Sequence, residues 1–393
     1  MSFKTRVSQI IDNHKDEILK ISNKIHSEPE LGHQEYKSSK LLFDELIKYG
    51  YSVKYGVAGM KTAFIAIKGK GNPKIGILAE YDALPGIGHA CGHNLIATSA
   101  LGAAIGLSEL IDEMGGTIII YGTPAEEGVV QNAGGKVVML DDIKKADVAI
   151  MIHPSSSWGS HGTSNARESF LVEFFGRSSH AGGAPEKGIN ALDGILLTFT
   201  GINALRQHLN KEIRIHGIIK YGGEAPNIIP DYASAHLYVR APSMPLLEET
   251  YNKVKNIIKG AELQTGAKSK ITQVANTYAN KLPNKVLSDV FRDNMIALGV
   301  TEYPVEKEPK QGGGSTDFGN VSQVMPALSA YINIGDDVVL HSPDGAKAAG
   351  SLKANEVMLL GAKGLAYTAI DLITKPILLE NAKKELEQRY KEQ

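Results

Sequence analysis

The chain has 393 residues, 42% apolar and 22% charged, with a formal net charge of −1 and a single cysteine. That is roughly enough for two or three ordinary domains, and so little net charge excludes the basic footprint of a nucleic-acid or anionic-membrane binder. One cysteine excludes an internal disulfide, which makes a reducing cytoplasm the expected location. The N-terminus leads straight into an amphipathic pattern with no signal-peptide core, and no apolar run approaches the length of a membrane span.

Apolar positions Val7, Ile10, Ile11, Ile18, Leu19 and Ile25 predict a helix over 5–26. Pro29 and Gly32 punctuate its end, and a second helix is expected over 35–49. Strands are expected at 62–68 and 74–79, joined by Gly69-Lys70-Gly71-Asn72-Pro73. A small-residue helix at 95–111 follows, then buried strands at 116–123 and 146–153. This alternation predicts an α/β layered domain. From about Ser169 the order changes to strand 169–176, helix 189–209, strands 213–221 and 232–240, helix 246–260 and strand 270–276. That β-α-β-β-α-β order is the ferredoxin-like arrangement, and it reads as a domain of about a hundred residues inserted into the first. The expected boundaries are 1–167 with 277–393 for the outer domain and 168–276 for the insert. The outer domain then resumes with helix 284–298, a Gly-rich loop at 311–319, strand 328–334, a loop with His341, helix 352–374 and a charged C-terminal helix.

Chemistry concentrates in Glu80-Tyr81-Asp82-Ala83-Leu84-Pro85-Gly86-Ile87-Gly88-His89-Ala90-Cys91-Gly92-His93-Asn94, directly after the strand 74–79. Ligands bind open α/β sheets at the carboxyl ends of strands. Cys91 and His93 are two apart, a spacing that lets a bend point thiolate and imidazole at one zinc-like ion. Taken singly, a lone Cys is more often a small buried hydrophobe and a lone His a satisfied core residue. Further strand ends raise the metal reading. Glu126-Glu127 follows the strand 116–123, where two adjacent carboxylates repel unless cations offset them. One of the pair could bind metal while the other serves as general base. His153 ends the strand 146–153, and His341 lies in the loop after 328–334. These donors exceed the needs of one tetrahedral ion and suit two neighbouring ions with an open or water-bridged position.

With these residues in place the chain resembles the dinuclear-metal peptidase and amidohydrolase family of aminoacylases, carboxypeptidases and hippurate hydrolases. It is most similar to the branch of Xaa-Arg dipeptidase and aminobenzoyl-glutamate hydrolase. The resemblance runs through Thr123-Pro124-Ala125-Glu126-Glu127, Ser179-His180-Ala181, Asn190-Ala191, Asn227-Ile228-Ile229-Pro230, Ser315-Thr316-Asp317-Phe318 and His341-Ser342-Pro343. It implies a zinc-peptidase-like mixed-sheet catalytic domain with an inserted ferredoxin-like dimerisation and lid domain. It implies Cys91 as a bridging or first metal ligand, with His93, Glu127, His153 and His341 as further ligands. Glu126 would be the general base, and Asp82 would orient a ligand from behind. His180 would reach the oxyanion of the neighbouring subunit. Asn227 and Arg240 would hold the substrate carboxylate, and Gly314 and Ser315 would contribute from the Gly-rich loop. The peptidase branch has His at the position of Glu80 and a bridging Asp at that of Cys91. The hippurate-hydrolase branch has the Cys, but usually Asp where this chain has Asn94.

The resulting expectation is a cytoplasmic metallohydrolase that cleaves the amide or peptide bond of a dipeptide or N-acyl amino acid bearing a free carboxylate. Two divalent ions per subunit are expected, zinc first, with manganese, cobalt or nickel as alternatives. Partners are the small-molecule substrate and a second copy of the chain, with pairing of dimers left open. Nucleic acid and membrane are not expected. The rivals are a broader carboxypeptidase, a cysteine amidase built on Cys91 and His93, and a catalytically silent metal- or metabolite-binding relative.

Overall fold

A computed structural model describes residues 1–310 and 312–392. Gln311, where the expected Gly-rich loop begins, lies outside the described residues. Among the described residues ten strands occur in chain order: β1 (Ser52–Tyr55), β2 (Phe64–Lys70), β3 (Lys74–Ala79), β4 (Gly116–Gly122), β5 (Val148–Ser155), β6 (Ala166–Phe175), β7 (Arg214–Tyr221), β8 (Tyr232–Ala241), β9 (Lys268–Gln273) and β10 (Ala327–Asn333). They divide between two compact units. The first comprises 1–163, 281–312 and 316–393; the second comprises 164–280 and 313–315.

The first unit holds a mixed six-stranded sheet in the order β1-β2-β4-β3-β5-β10. β3, β4, β5 and β10 run parallel, and β1 and β2 are antiparallel additions at one edge. The parallel strands are continuous apolar runs because both faces are covered. The small-residue helix spans His93–Ser108 and is buried along its whole length. Its glycines are contact points: a Cβ on Gly102 would lie 2.9 Å from Ala362, and one on Gly106 would lie 2.7 Å from Val7. Only small residues allow neighbouring helices this close. The helix Leu352–Thr374 has the length and apolarity of a membrane span, which the reading of apolar runs missed, but 78% of its most apolar window is buried in the core.

Two local expectations are corrected. The helix expected over 5–26 is two, Phe3–Asn13 and Lys15–Ser27, broken at His14. His14 turns the chain and offers Nδ1 to the Tyr49 hydroxyl at 2.8 Å. β1 was not foreseen, because four residues carry too little periodicity to register.

The second unit has the order strand, helix Ala191–Arg206, strand, strand, helix Met244–Thr265, strand. Its antiparallel sheet runs β7-β8-β6-β9, the ferredoxin-like order. Phe170, Val172, Phe174, Leu237 and Val239 form its core beneath the two helices. The alternate residues of the strands face the other way.

Candidate metal centre

The carboxyl ends of β3, β4 and β5 bring the first unit's chemistry together. Beyond β3 the chain turns through Gly92, which adopts φ +76°, and enters its helix at His93. A Cβ at Gly92 would lie 2.7 Å from Pro154 Cγ, so the turn that separates Cys91 from His93 needs glycine on both counts. Beyond β4, Ala125 is held at φ +57° just before the two glutamates. His341, itself at φ +60°, is tied to the turn by its N–H on Ala90 O at 3.0 Å.

These segments place donor atoms side by side. Cys91 Sγ lies 3.5 Å from His153 Nε2 and 3.3 Å from His341 Nε2. His341 Nε2 is 3.4 Å from Glu127 Oε2. His93 Nε2 is 3.8 Å from Glu127 Oε1 and 4.0 Å from Glu126 Oε2. Two overlapping groups result, Cys91 with His93 and His153, and Cys91 with Glu127 and His341, each with ligand atoms within 4.8 Å of one another. All five expected ligands are in this cluster, and Cys91 is the member common to both groups.

The surroundings suit metal donation. His93 Nδ1 faces Asp82 Oδ1 at 3.0 Å, and His153 Nδ1 faces Pro154 O at 2.7 Å. Each ring therefore carries a proton on Nδ1 and turns Nε2 toward the cluster. Asp82 Oδ2 also accepts the Glu127 N–H at 3.0 Å, so one carboxylate orients two of the donors. His93 Nε2 and Glu127 Oε1 are buried without a hydrogen-bond partner among the described residues. Burial pushes Glu127 up to about 7 against the pull of His93. Burial, then the carboxylates of Glu80, Asp317 and Glu127, hold Glu126 well above the ordinary range. A largely buried pocket with this many acids, a thiol and unpartnered ligand atoms fits divalent cations.

A second cluster adjoins it. Lys136 is fully buried and its ammonium bridges Glu80 and Asp317, at 2.6 Å from Asp317 Oδ1. Glu80, Glu126 and Asp317 lie within 4.8 Å of one another. Glu80 is thus paired with an internal cation. Lys136 follows Gly134-Gly135 and reads as part of a turn, so the sequence did not single it out. Glu35 was missed too. It is buried, accepting the Ala125 N–H at 2.9 Å and the Thr62 hydroxyl at 2.8 Å, and it pins the strained loop before Glu126. Asn94 donates to Ser22 Oγ and to Ala349 O, which commits its amide to packing.

The remaining expected residues belong to the second unit. His180 is exposed, and its Nδ1 accepts the N–H groups of Gly182 and Gly183 at 3.2 and 3.0 Å. A neutral His180 therefore carries its proton on Nε2 and is a donor there. Asn227 is exposed on a segment bridged to His180 through Ile228. Arg240 Nη1 donates to Ser315 Oγ at 2.8 Å. Gly314 uses its carbonyl to accept from Asn165 N at 2.8 Å.

The profile of the peptidase family M20/M25/M40 matches residues 54–355. Mouse Xaa-Arg dipeptidase is 37% identical, over 99% of this chain and 93% of its own length. A p-aminobenzoyl-glutamate hydrolase component of Escherichia coli is 31% identical, over 77% of this chain and 66% of its own length. A Bacillus subtilis structure described as a dinuclear metal binding peptidase of the M20 family superposes with TM-score 0.66 at 19% identity, covering 92% of this chain and 99% of that one, a likeness of fold. The chain belongs to peptidase family M20/M25/M40 and is a metallohydrolase of peptide or amide bonds.

Proposed function

We propose that the enzyme hydrolyses the amide or peptide bond of a dipeptide or N-acyl amino acid that ends in a free carboxylate. The observation that carries this reading is the convergence of Cys91, His93, Glu127, His153 and His341 on one acid-crowded pocket. The relatives support the substrate class, one being named a Xaa-Arg dipeptidase and another a p-aminobenzoyl-glutamate hydrolase component.

The five side chains would hold two ions, with Cys91 as a bridging or first ligand. Zinc suits a thiolate and imidazole set, with manganese, cobalt or nickel as alternatives. When bound, such ions act as Lewis acids that activate water and polarise the scissile carbonyl. Glu126, beside the donors, takes the proton of the attacking water and returns it to the leaving amine. His180, reaching the site of the neighbouring subunit, donates a hydrogen bond from its Nε2–H to the developing oxyanion, a contribution of ~3 kcal/mol. Arg240 with Ser315, and Asn227 with Gly314, hold the substrate carboxylate.

In this reading the second unit pairs with a second copy and closes over substrate, and the enzyme works in the cytoplasm. The edge strand β7 supports pairing, since Ile218 and Ile219 on it are 59% and 43% exposed. The cysteine-amidase reading is disfavoured. Burial, then Glu127, push the Cys91 thiol up, the reverse of an activated nucleophile. The silent-relative reading leaves the Glu126 carboxylate in this pocket without a task.

The test is hydrolysis of a mixed panel of dipeptides and N-acyl amino acids by chelated enzyme and by enzyme given back zinc, manganese or cobalt. Activity lost on chelation and restored by metal supports the reading. Activity indifferent to chelation returns it to Cys91, and binding without turnover favours the silent relative.

A further inference from the structure

Lys136 stands where three separate segments of the first unit meet, and it is fastened to each of them. The turn before it runs against the loop that carries Glu126. Gly134 donates its N–H to Ala125 O at 2.7 Å, and Gly135 donates its own to Pro124 O at 3.1 Å. This approach needs glycine twice: Gly134 sits at φ +105°, and a Cβ on Gly135 would lie 2.1 Å from Pro124 O. The Lys136 N–H donates to Asp317 Oδ2 at 2.9 Å and its ammonium to Asp317 Oδ1 at 2.6 Å, so one carboxylate grips both ends of the residue. The same ammonium pairs with Glu80, just beyond β3. Burial works against its charge, but Asp317, Glu80 and Glu126 outweigh that and hold the ammonium above the ordinary lysine range.

Stability alone does not explain a charge in this place. Apolar side chains of similar volume often hold such a spot as well as a buried ion pair or better. What an apolar residue could not do is manage the charge beside it. Glu80, Glu126 and Asp317 lie within 4.8 Å of one another. Without an ammonium between them, Glu80 and Asp317 would push the Glu126 carboxylate aside. Glu126 also follows Ala125, held at φ +57°, so its loop keeps its course only while its neighbours impose it. Lys136 answers both needs, because its ammonium draws in the two flanking carboxylates while its turn clamps the loop.

We propose that Lys136 is a positioning residue for the hydrolytic step: by pairing with Glu80 and Asp317 and clamping the Pro124–Glu126 loop, it fixes where the Glu126 carboxylate stands beside the metal donors. It acts on the chemical step through Glu126, and on neither metal binding nor substrate affinity. The proposal rests on Glu126 as the general base, and its experiment tells the two apart.

The experiment is a double-mutant cycle on the full-length, metal-loaded enzyme, with Lys136→Met, Glu126→Gln and the two combined. Each is assayed on a cleaved panel substrate at a temperature where its melt shows it folded. Lys136→Met is expected to keep its metal content, to change KM by less than about threefold and to lose about 10²-fold in kcat, the cost of a misplaced catalytic group. In the Glu126→Gln background the same substitution should cost little, because the group it positions is gone. Equal losses in both backgrounds overturn the proposal, since that is a purely structural lysine. So does wild-type kcat in Lys136→Met, or a loss of kcat matched by a loss of metal. Wild-type turnover in Glu126→Gln instead removes the base assignment beneath it. If Lys136→Met does not fold, Lys136→Met with Glu80→Gln and Asp317→Asn takes its place, and wild-type kcat in that folded, metal-loaded variant overturns the proposal. If no panel substrate is cleaved in any metal form, the function fails and hydrogen exchange decides the positioning. Lys136→Met should then exchange about tenfold faster over 123–128 with β5 unchanged, and identical exchange there overturns the proposal.

Discussion

Lys136 Nζ lies 2.6 Å from Asp317 Oδ1, and neither side chain reaches solvent. The same ammonium pairs with Glu80, so one internal cation offsets two carboxylates that border Glu126. Breaking a buried pair leaves charge without compensation and typically costs ~3–5 kcal/mol. Lys136→Met is therefore expected to lower unfolding stability by that order in urea denaturation. Removing the opposing charges as well, in Lys136→Met with Glu80→Gln and Asp317→Asn, should recover a large part. A triple variant no more stable than the single one would contradict the pairing.

Asp82 orients His93 through Nδ1 and Glu127 through its backbone N–H. Outer partners of this kind are worth about 10–100-fold in metal affinity. Asp82→Asn keeps the size but loses an acceptor, and competition with a coloured chelator should show metal affinity lower by that factor. Unchanged affinity would remove Asp82 from the account.

Glu35 is pushed up to about 8 by burial, then by Asp82, from an ordinary value of 4.5. A carboxyl with a raised folded-state pKa contributes its full stability below about 4.5 and loses it as pH rises through about 8. Glu35→Gln can still accept the Ala125 N–H and can donate to Thr62. It should match the wild type near the acid end of that window and exceed it by ~1–3 kcal/mol above the window. Thermal melts across the window check this, and parallel curves for the two proteins would contradict it.

The five donors were legible because each stands at or just beyond the carboxyl end of an apolar strand, and parallel pairing of β3, β4, β5 and β10 brings those ends to one rim. The residues that support them were not. Lys136 follows a Gly-Gly pair, and Glu35 opens a predicted helix. Nothing local announces that either is buried, because their partners are far away in the chain. Asp317 entered only through resemblance, and its pairing with Lys136 depends on the tertiary fold. The break at His14 was hidden because the apolar stripe continues in phase across it.

The most direct measurement of the central claim compares metal content and turnover in Glu126→Gln and Glu127→Gln. If Glu127 holds metal and Glu126 moves the proton, Glu126→Gln keeps its ions and loses about 10²–10⁴-fold in kcat, whereas Glu127→Gln loses metal. A Glu126→Gln enzyme with wild-type turnover, or one that loses its ions as readily as Glu127→Gln, would contradict the account.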